Sequence, residues 1–225
     1  MTAINAVTDL TLDGEIAVIT LNSPPVNALS APVRQGLLDA FTAALKDDAV
    51  KGVVLICEGR TFVAGADIAE FGTAARGAGA TSAQIEALIE GSSRPIIAAI
   101  HGTALGGGLE LAMCCHYRVA VPSARCGLPE VNIGILPGAG GTQRIARAVG
   151  VEQALHMVGT GEHVPAQKCL ELGLLDEIVP EGKLRESAIA FARKVLAEKR
   201  PLKRLRDDDS KIAAARGKPE IFAAL

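Results

Sequence analysis

Residues 96–110 read IIAAIHGTALGGGLE, and this stretch decides the fold. Ile96, Ile97, Ala98, Ala99 and Ile100 form a continuously apolar run, the pattern of a strand buried on both faces. Gly106, Gly107 and Gly108 break that run, and Leu109-Glu110-Leu111-Ala112-Met113 opens a helix behind them. Glycine tolerates positive φ and lets backbone approach a ligand closely. The first N–H groups of a helix lack partners within it, so Glu110 stands beside donors suited to an oxygen that acquires negative charge. On spacing alone, the same frame fits a glycine-rich packing turn with an exposed glutamate.

Outward from this stretch, residues 53–57 (VVLIC) form a second buried strand and 117–121 (YRVAV) a shorter third. Helical segments fall between them near 82–91 and 107–115. Strand, helix, strand, helix, strand predicts an α/β domain with a partly parallel sheet. Further upstream, 7–12 and 15–21 predict two strands joined at the turn dipeptide Asp13-Gly14. Ser30 is placed to cap a helix that has Pro32 in its first turn and runs to Lys46. Its apolar residues Val33, Leu37, Leu38, Phe41 and Leu45 recur at helical spacing. More helices are expected near 141–149, 151–158, 165–172 and 183–198. Residues 72–82, GTAARGAGATS, have almost no apolar anchors and predict a mobile surface loop. The charged stretch from Arg193 to Lys211 predicts a solvated helical face rather than a nucleic-acid patch.

Composition narrows the classes. At 225 residues the chain is long enough for one large domain with a substantial core. The absence of Trp and a single Tyr argue against aromatic platforms for sugars or single strands. A net charge of −2 gives no general attraction to nucleic acid. The five cysteines form no CxxC pair and read as free thiols in a reducing compartment. The N-terminal residues lack a secretory pattern, apolar runs fall short of a membrane span, and the final Ala-Ala-Leu is no peroxisomal Ser-Lys-Leu signal. The expected location is cytoplasmic, with no membrane partner.

Two more frames carry chemistry. Gly127-Leu128-Pro129-Glu130 lies in apolar surroundings with Val131, Ile133, Ile135 and Leu136, followed by Pro137-Gly138-Ala139-Gly140-Gly141-Thr142. A carboxyl group so placed tends towards a raised pKa and donates a proton near neutrality. Taken alone, Glu130 also fits a salt-bridged structural residue; with Glu110 it makes a paired-carboxylate site the better reading. The third frame, residues 59–68 (GRTFVAGADI), follows the 53–57 strand and offers a further backbone N–H for the same oxygen. Neither glycine-rich stretch completes GxGxxG, no Walker A lysine occurs, and the four histidines show no metal-type spacing. No dinucleotide site and no metal is therefore expected. No serine sits in either glutamate frame, which disfavours a Ser-His-Asp hydrolase.

Residues 59–72 (GRTFVAGADIAEFG), 101–112 (HGTALGGGLELA) and 115–144 (CHYRVAVPSARCGLPEVNIGILPGAGGTQR), with Asn27-Ala28-Leu29-Ser30, resemble the crotonase (enoyl-CoA hydratase/isomerase) superfamily. The resemblance runs from about Val7 to Pro180. The wording is similar to the hydratase part of bifunctional enzymes that also carry a 3-hydroxyacyl-CoA dehydrogenase. It implies a crotonase-like spiral of ββα units with C-terminal helices: a catalytic core over 1–192, then a helical tail over 193–225 that is incomplete relative to the family.

It also implies hydration of 2-enoyl-CoA thioesters to 3-hydroxyacyl-CoA in fatty-acid β-oxidation, with CoA as part of the substrate and no separate cofactor. By motif, Glu110 would hold and activate water and Glu130 would exchange a proton with the α-carbon. The N–H groups of Ala66 and Gly107 would form the oxyanion hole, and Arg60, Ala64, Gly65, Asp67 and Ile68 would contact CoA. Ala69-Glu70 stands where many relatives carry a basic residue. The implied assembly is a homotrimer or dimer of trimers, with fusion to a dehydrogenase in a longer protein. Competing readings are a Δ3,Δ2-enoyl-CoA isomerase on the same site and a non-catalytic CoA- or RNA-binding relative.

Overall fold

The computed structural model describes residues 2–73, 77–213, 215–218 and 220–221. β2 (Thr8–Asp13) and β3 (Ile16–Leu21) form the expected antiparallel hairpin, extended at its outer edge by β1 (Thr2–Ala3). From β3 inward the sheet is parallel, adding β4 (Gly52–Cys57), β5 (Ile96–Ile100), β7 (Tyr117–Ala120) and β10 (Glu177–Ile178). β4 and β5 are buried along their whole length, which is why they read as unbroken apolar runs rather than alternating ones.

A second, small sheet decides where the site sits. It holds β6 (Thr103–Leu105), β8 (Arg125–Gly127) and β9 (Val164–Pro165). Two isolated parallel bridges continue its stacking, Val63 to Ala104 and Leu29 to Ala66. Each turn of chain therefore gives one segment to the large sheet and one to the small stack, then a helix. The helices are α1 (Ala31–Lys46) after the Leu29 bridge, α2 (Ser82–Gly91) after residues 63–66, and α3 (Gly107–Cys114) after β6. This is the expected spiral. The short strands escaped sequence reading because two or three residues carry no periodicity.

Val33, Leu37 and Phe41 of α1 are fully buried, each contributing about 1.5–3 kcal/mol by removal from water. Ser30 occupies the N-cap position of α1 but makes no side-chain cap bond. Glu70 does that work instead, its Oε1 accepting from Ala31 N–H at 2.7 Å. Arg34 reaches back from α1 to Glu70 at 2.8 Å and to the carbonyls of Leu29, Ala78 and Ala80. Burial would raise the Glu70 carboxyl, but the Arg34 and Ala31 hydrogen bonds prevail and hold it low. Glu70 is thus held in a fixed internal ion pair with Arg34. Of the expected loop at 72–82, residues 74–76 lie outside the described residues.

The chain continues through α4 (Gly141–Val149), α5 (Val151–Thr160), α6 (Ala166–Leu172), α7 (Leu184–Ala197) and the short α8 (Ser210–Ala213). Most charged side chains of the tail are exposed, as expected, although the chain leaves the helix after Ala197 and packs back on the core. Arg204 donates to the carbonyls of Glu90 and Ser92, Arg206 pairs with Glu90, and Asp209 pairs with Arg147. These contacts clamp the tail to α2 and α4, a role that charge runs do not disclose. Among the described residues no helix is long and apolar enough to cross a membrane, and all five cysteines are free and buried.

Candidate active site

Three frames meet where the small stack passes the C-terminal ends of β4 and β5. Asn27, at φ 53°, donates from Nδ2 to the carbonyls of Glu58 and Thr61, both at 2.9 Å. That ties residues 27–30 to the start of the 59–68 frame. The Val63 carbonyl then accepts from Leu105 N–H at 3.0 Å, and Gly65 from Leu29 N–H at 2.9 Å. Gly108 must lack a side chain, because a Cβ there would collide with the Val63 carbonyl.

Glu110 lies in the first turn of α3 and is 2% exposed. Its Oε1 accepts from Ala139 N–H at 2.8 Å and Gly141 N–H at 2.7 Å. Burial pushes its carboxyl above the ordinary range, while these two N–H groups and the Arg144 charge partly oppose that rise. Glu130 lies on the 3-10 turn Pro129–Ile133 and is half-buried. Its Oε2 is buried without a hydrogen-bond partner among the described residues. Burial raises the Glu130 carboxyl too; its own N–H opposes this, and the nearby charge of Glu110 adds to it. Gly106, at φ +50°, leaves the space Glu130 occupies, since a Cβ there would stand 2.9 Å from Oε1.

The Ala66 and Gly107 amides are neighbours: a Cβ built on Gly107 would lie 3.5 Å from the Ala66 nitrogen. Neither N–H donates to another group among the described residues. Both residues face a cavity of about 450 Å³ whose wall includes Glu110, Glu130, Ala64, Gly65 and Ile68. The remaining wall is mostly apolar, with Leu29, Phe71, Ile133, Ile135 and Leu136. So both acids, both amides and three of the five expected contact residues share one cavity.

Arg60 and Asp67 do not line it. Arg60 is exposed and donates to the Pro25 carbonyl at 3.2 Å. Asp67 caps the short turn at 68–70 through Ala69 N–H and borders a smaller neighbouring cavity. Sequence reading missed the Ala139 and Gly141 donors, although the glycine run 138–141 was the signal. It also missed the buried cluster of Arg144, Glu86 and Glu90, whose partners are scattered along the chain. Among the described residues no three His, Cys, Asp or Glu side chains gather as metal ligands would.

A spiral of paired sheets with two acids and two open amides in one cavity defines a crotonase-fold protein. The family pattern described as enoyl-CoA hydratase/isomerase matches residues 11–221, and the chain belongs to that family. It is 45% identical over 199 residues to the "Probable enoyl-CoA hydratase" of Bacillus subtilis, covering 85% of this chain and 76% of the relative. It is 46% identical over 190 residues to the peroxisomal bifunctional enzyme of Danio rerio, covering 84% of this chain and 26% of that protein. The chain therefore spans about a quarter of its bifunctional relatives. The crystal structure of enoyl-CoA hydratase from Bacillus anthracis superposes with a TM-score of 0.78 at 34% identity, covering 84% of this chain and 76% of that one.

Proposed function

We propose that the chain hydrates 2-enoyl-CoA thioesters to 3-hydroxyacyl-CoA in β-oxidation. One observation carries the reading: two carboxyl groups with unequal hydrogen bonding share a cavity with two amides that have no partner among the described residues. Glu110 is fixed through Oε1 by two N–H groups, which with the Arg144 charge oppose the rise that burial causes. Glu130 is raised first by burial, with the charge of Glu110 adding to the rise, which suits it to donate a proton.

The thioester oxygen takes its place between the Ala66 and Gly107 N–H groups. Glu110 accepts a proton from water as the water oxygen bonds to the β-carbon. The π electrons move to the α-carbon, which takes the Glu130 proton, and the charge developing on the thioester oxygen is met by the two amides. Glu110 ends protonated and Glu130 ionised, and proton exchange with solvent resets the pair. CoA enters as part of the substrate, and the scheme needs no further cofactor. Contact of Arg60 and Asp67 with the CoA portion rests on the family resemblance, since neither lines this cavity.

Hydration of crotonyl-CoA, followed by loss of the enoyl thioester absorbance, tests the reading; an inactive folded chain overturns it. The unpaired Glu130 Oε2 also favours a second reading, proton shuttling between α- and γ-carbons in a Δ3,Δ2-enoyl-CoA isomerisation. Assay of a 3-enoyl-CoA beside the 2-enoyl substrate separates the two. A non-catalytic RNA-binding role draws no support from a net charge of −2. Fusion to a dehydrogenase is supported by the bifunctional relatives. A homotrimer or dimer of trimers rests on family resemblance and is read by light scattering. A cytoplasmic location is supported by the free thiols.

A further inference from the structure

Behind Glu110 lies a buried ionic cluster that the hydration scheme does not use. Arg144 of α4 is 8% exposed. Its Nε meets Glu90 Oε1 at 2.8 Å and its Nη2 lies 3.4 Å from Glu86 Oε2, both on α2. Its Nη1 donates to the Ala139 carbonyl at 2.7 Å. Ala139 is the residue whose N–H holds Glu110, so one guanidinium anchors the loop that anchors the acid. Nη1 of the guanidinium also lies over Gly140, at φ +82°, where any Cβ would strike it.

We propose that Arg144 is a positioning residue for Glu110, fixing the 138–141 loop so that its two N–H groups aim at one carboxylate oxygen. This deepens, and rests on, the hydratase reading of the same site. Only a planar fork satisfies the arrangement, because three acceptors in different directions must be held at once. The cation has a second effect. It faces Glu86 and Glu90 from α2, and Glu110 and Cys114 from α3, with Arg206 of the tail sharing Glu90. Glu130 feels Glu110 from the 3-10 turn. The Arg144 charge also opposes the rise that burial imposes on Glu110, after the two N–H groups that the same side chain holds in place.

Two variants test this. In Arg144→Ala, a displaced carboxylate should lower kcat roughly 100-fold while KM moves less than about threefold. Guanidinium ions added below denaturing concentration should restore part of that loss. Arg144→Lys keeps the charge but not the fork, so kcat stays low while the Glu110 titration rises less than in Arg144→Ala. Carbon-13 NMR of the side-chain carboxyls, with Glu110 assigned through Glu110→Gln, reads that titration without turnover. In Arg144→Ala the Glu110 signal should titrate at higher pH than in wild type. Folded Arg144→Ala with wild-type kcat and an unmoved Glu110 titration overturns the proposal. If that variant does not fold, wild-type kcat in Arg144→Lys overturns it instead. An inactive wild-type chain counts against the hydratase reading alone, since the titration still decides the role of Arg144.

Discussion

Gly141 donates its backbone N–H to Glu110 Oε1 at 2.7 Å across 31 residues of chain. The contact exists because Gly141 has no side chain: a Cβ there would sit 2.6 Å from that oxygen. Gly141→Ala must push the carboxylate aside or turn the amide away. Misplacement on this scale should cost roughly 100-fold in kcat with KM little changed. Steady-state kinetics on crotonyl-CoA read it, and a variant with unaltered kcat would show that Glu110 needs no such anchoring.

Glu130→Gln keeps the shape of the second acid and removes its proton chemistry. General acid–base groups contribute about 10²- to 10⁴-fold, so the variant should lose most hydration activity. Thermal unfolding should be little changed, because Oε2 makes no bond that folding depends on. Near-normal turnover of a 2-enoyl-CoA by this variant would refute the assignment.

Much of this geometry was legible in the chain. The runs 53–57 and 96–100 gave the buried strands because complete burial leaves no polar alternation. Glycines 106–108 marked the helix start because no other residue fits beside the Val63 carbonyl and Glu130. What stayed hidden depends on partners far apart in sequence. Arg34 finds Glu70 across 36 residues and Arg144 finds Glu90 across 54, and neither pair has a local periodicity to betray it. Glu86 and Glu90 sit one turn apart on α2, and the fold turns both inward onto Arg144.

The two acids should give a bell-shaped dependence of kcat/KM on pH. Protonation of Glu110 switches off water activation on the acid side, and ionisation of Glu130 removes the proton donor on the alkaline side. Burial raises both carboxyls, and the charge of Glu110 raises Glu130 further, so both limbs lie above the ordinary carboxylate range. The two apparent values belong to the coupled pair rather than to either residue. A profile flat from pH 5 to about 8 would mean that neither acid titrates during turnover.

Glu86 offers a stability test separate from catalysis. Its carboxyl is pushed up to about 7, first by burial, with Glu110 and Glu90 adding to the rise and Arg144 opposing it. In the unfolded chain it ionises near 4.5. Between those values the unfolded state has released the proton that the folded state still holds. Stability therefore falls as pH rises through this window, and the loss is complete above the folded value. Below 4.5 both states are protonated and Glu86 contributes no slope. Glu86→Gln removes this dependence and leaves those of Glu110 and Glu130 in place. Melting temperatures of the two proteins, measured from pH 4 to about 8, should diverge with the wild type falling more steeply. Parallel curves would show that Arg144 fully compensates Glu86 and that its proton is lost at the ordinary pH.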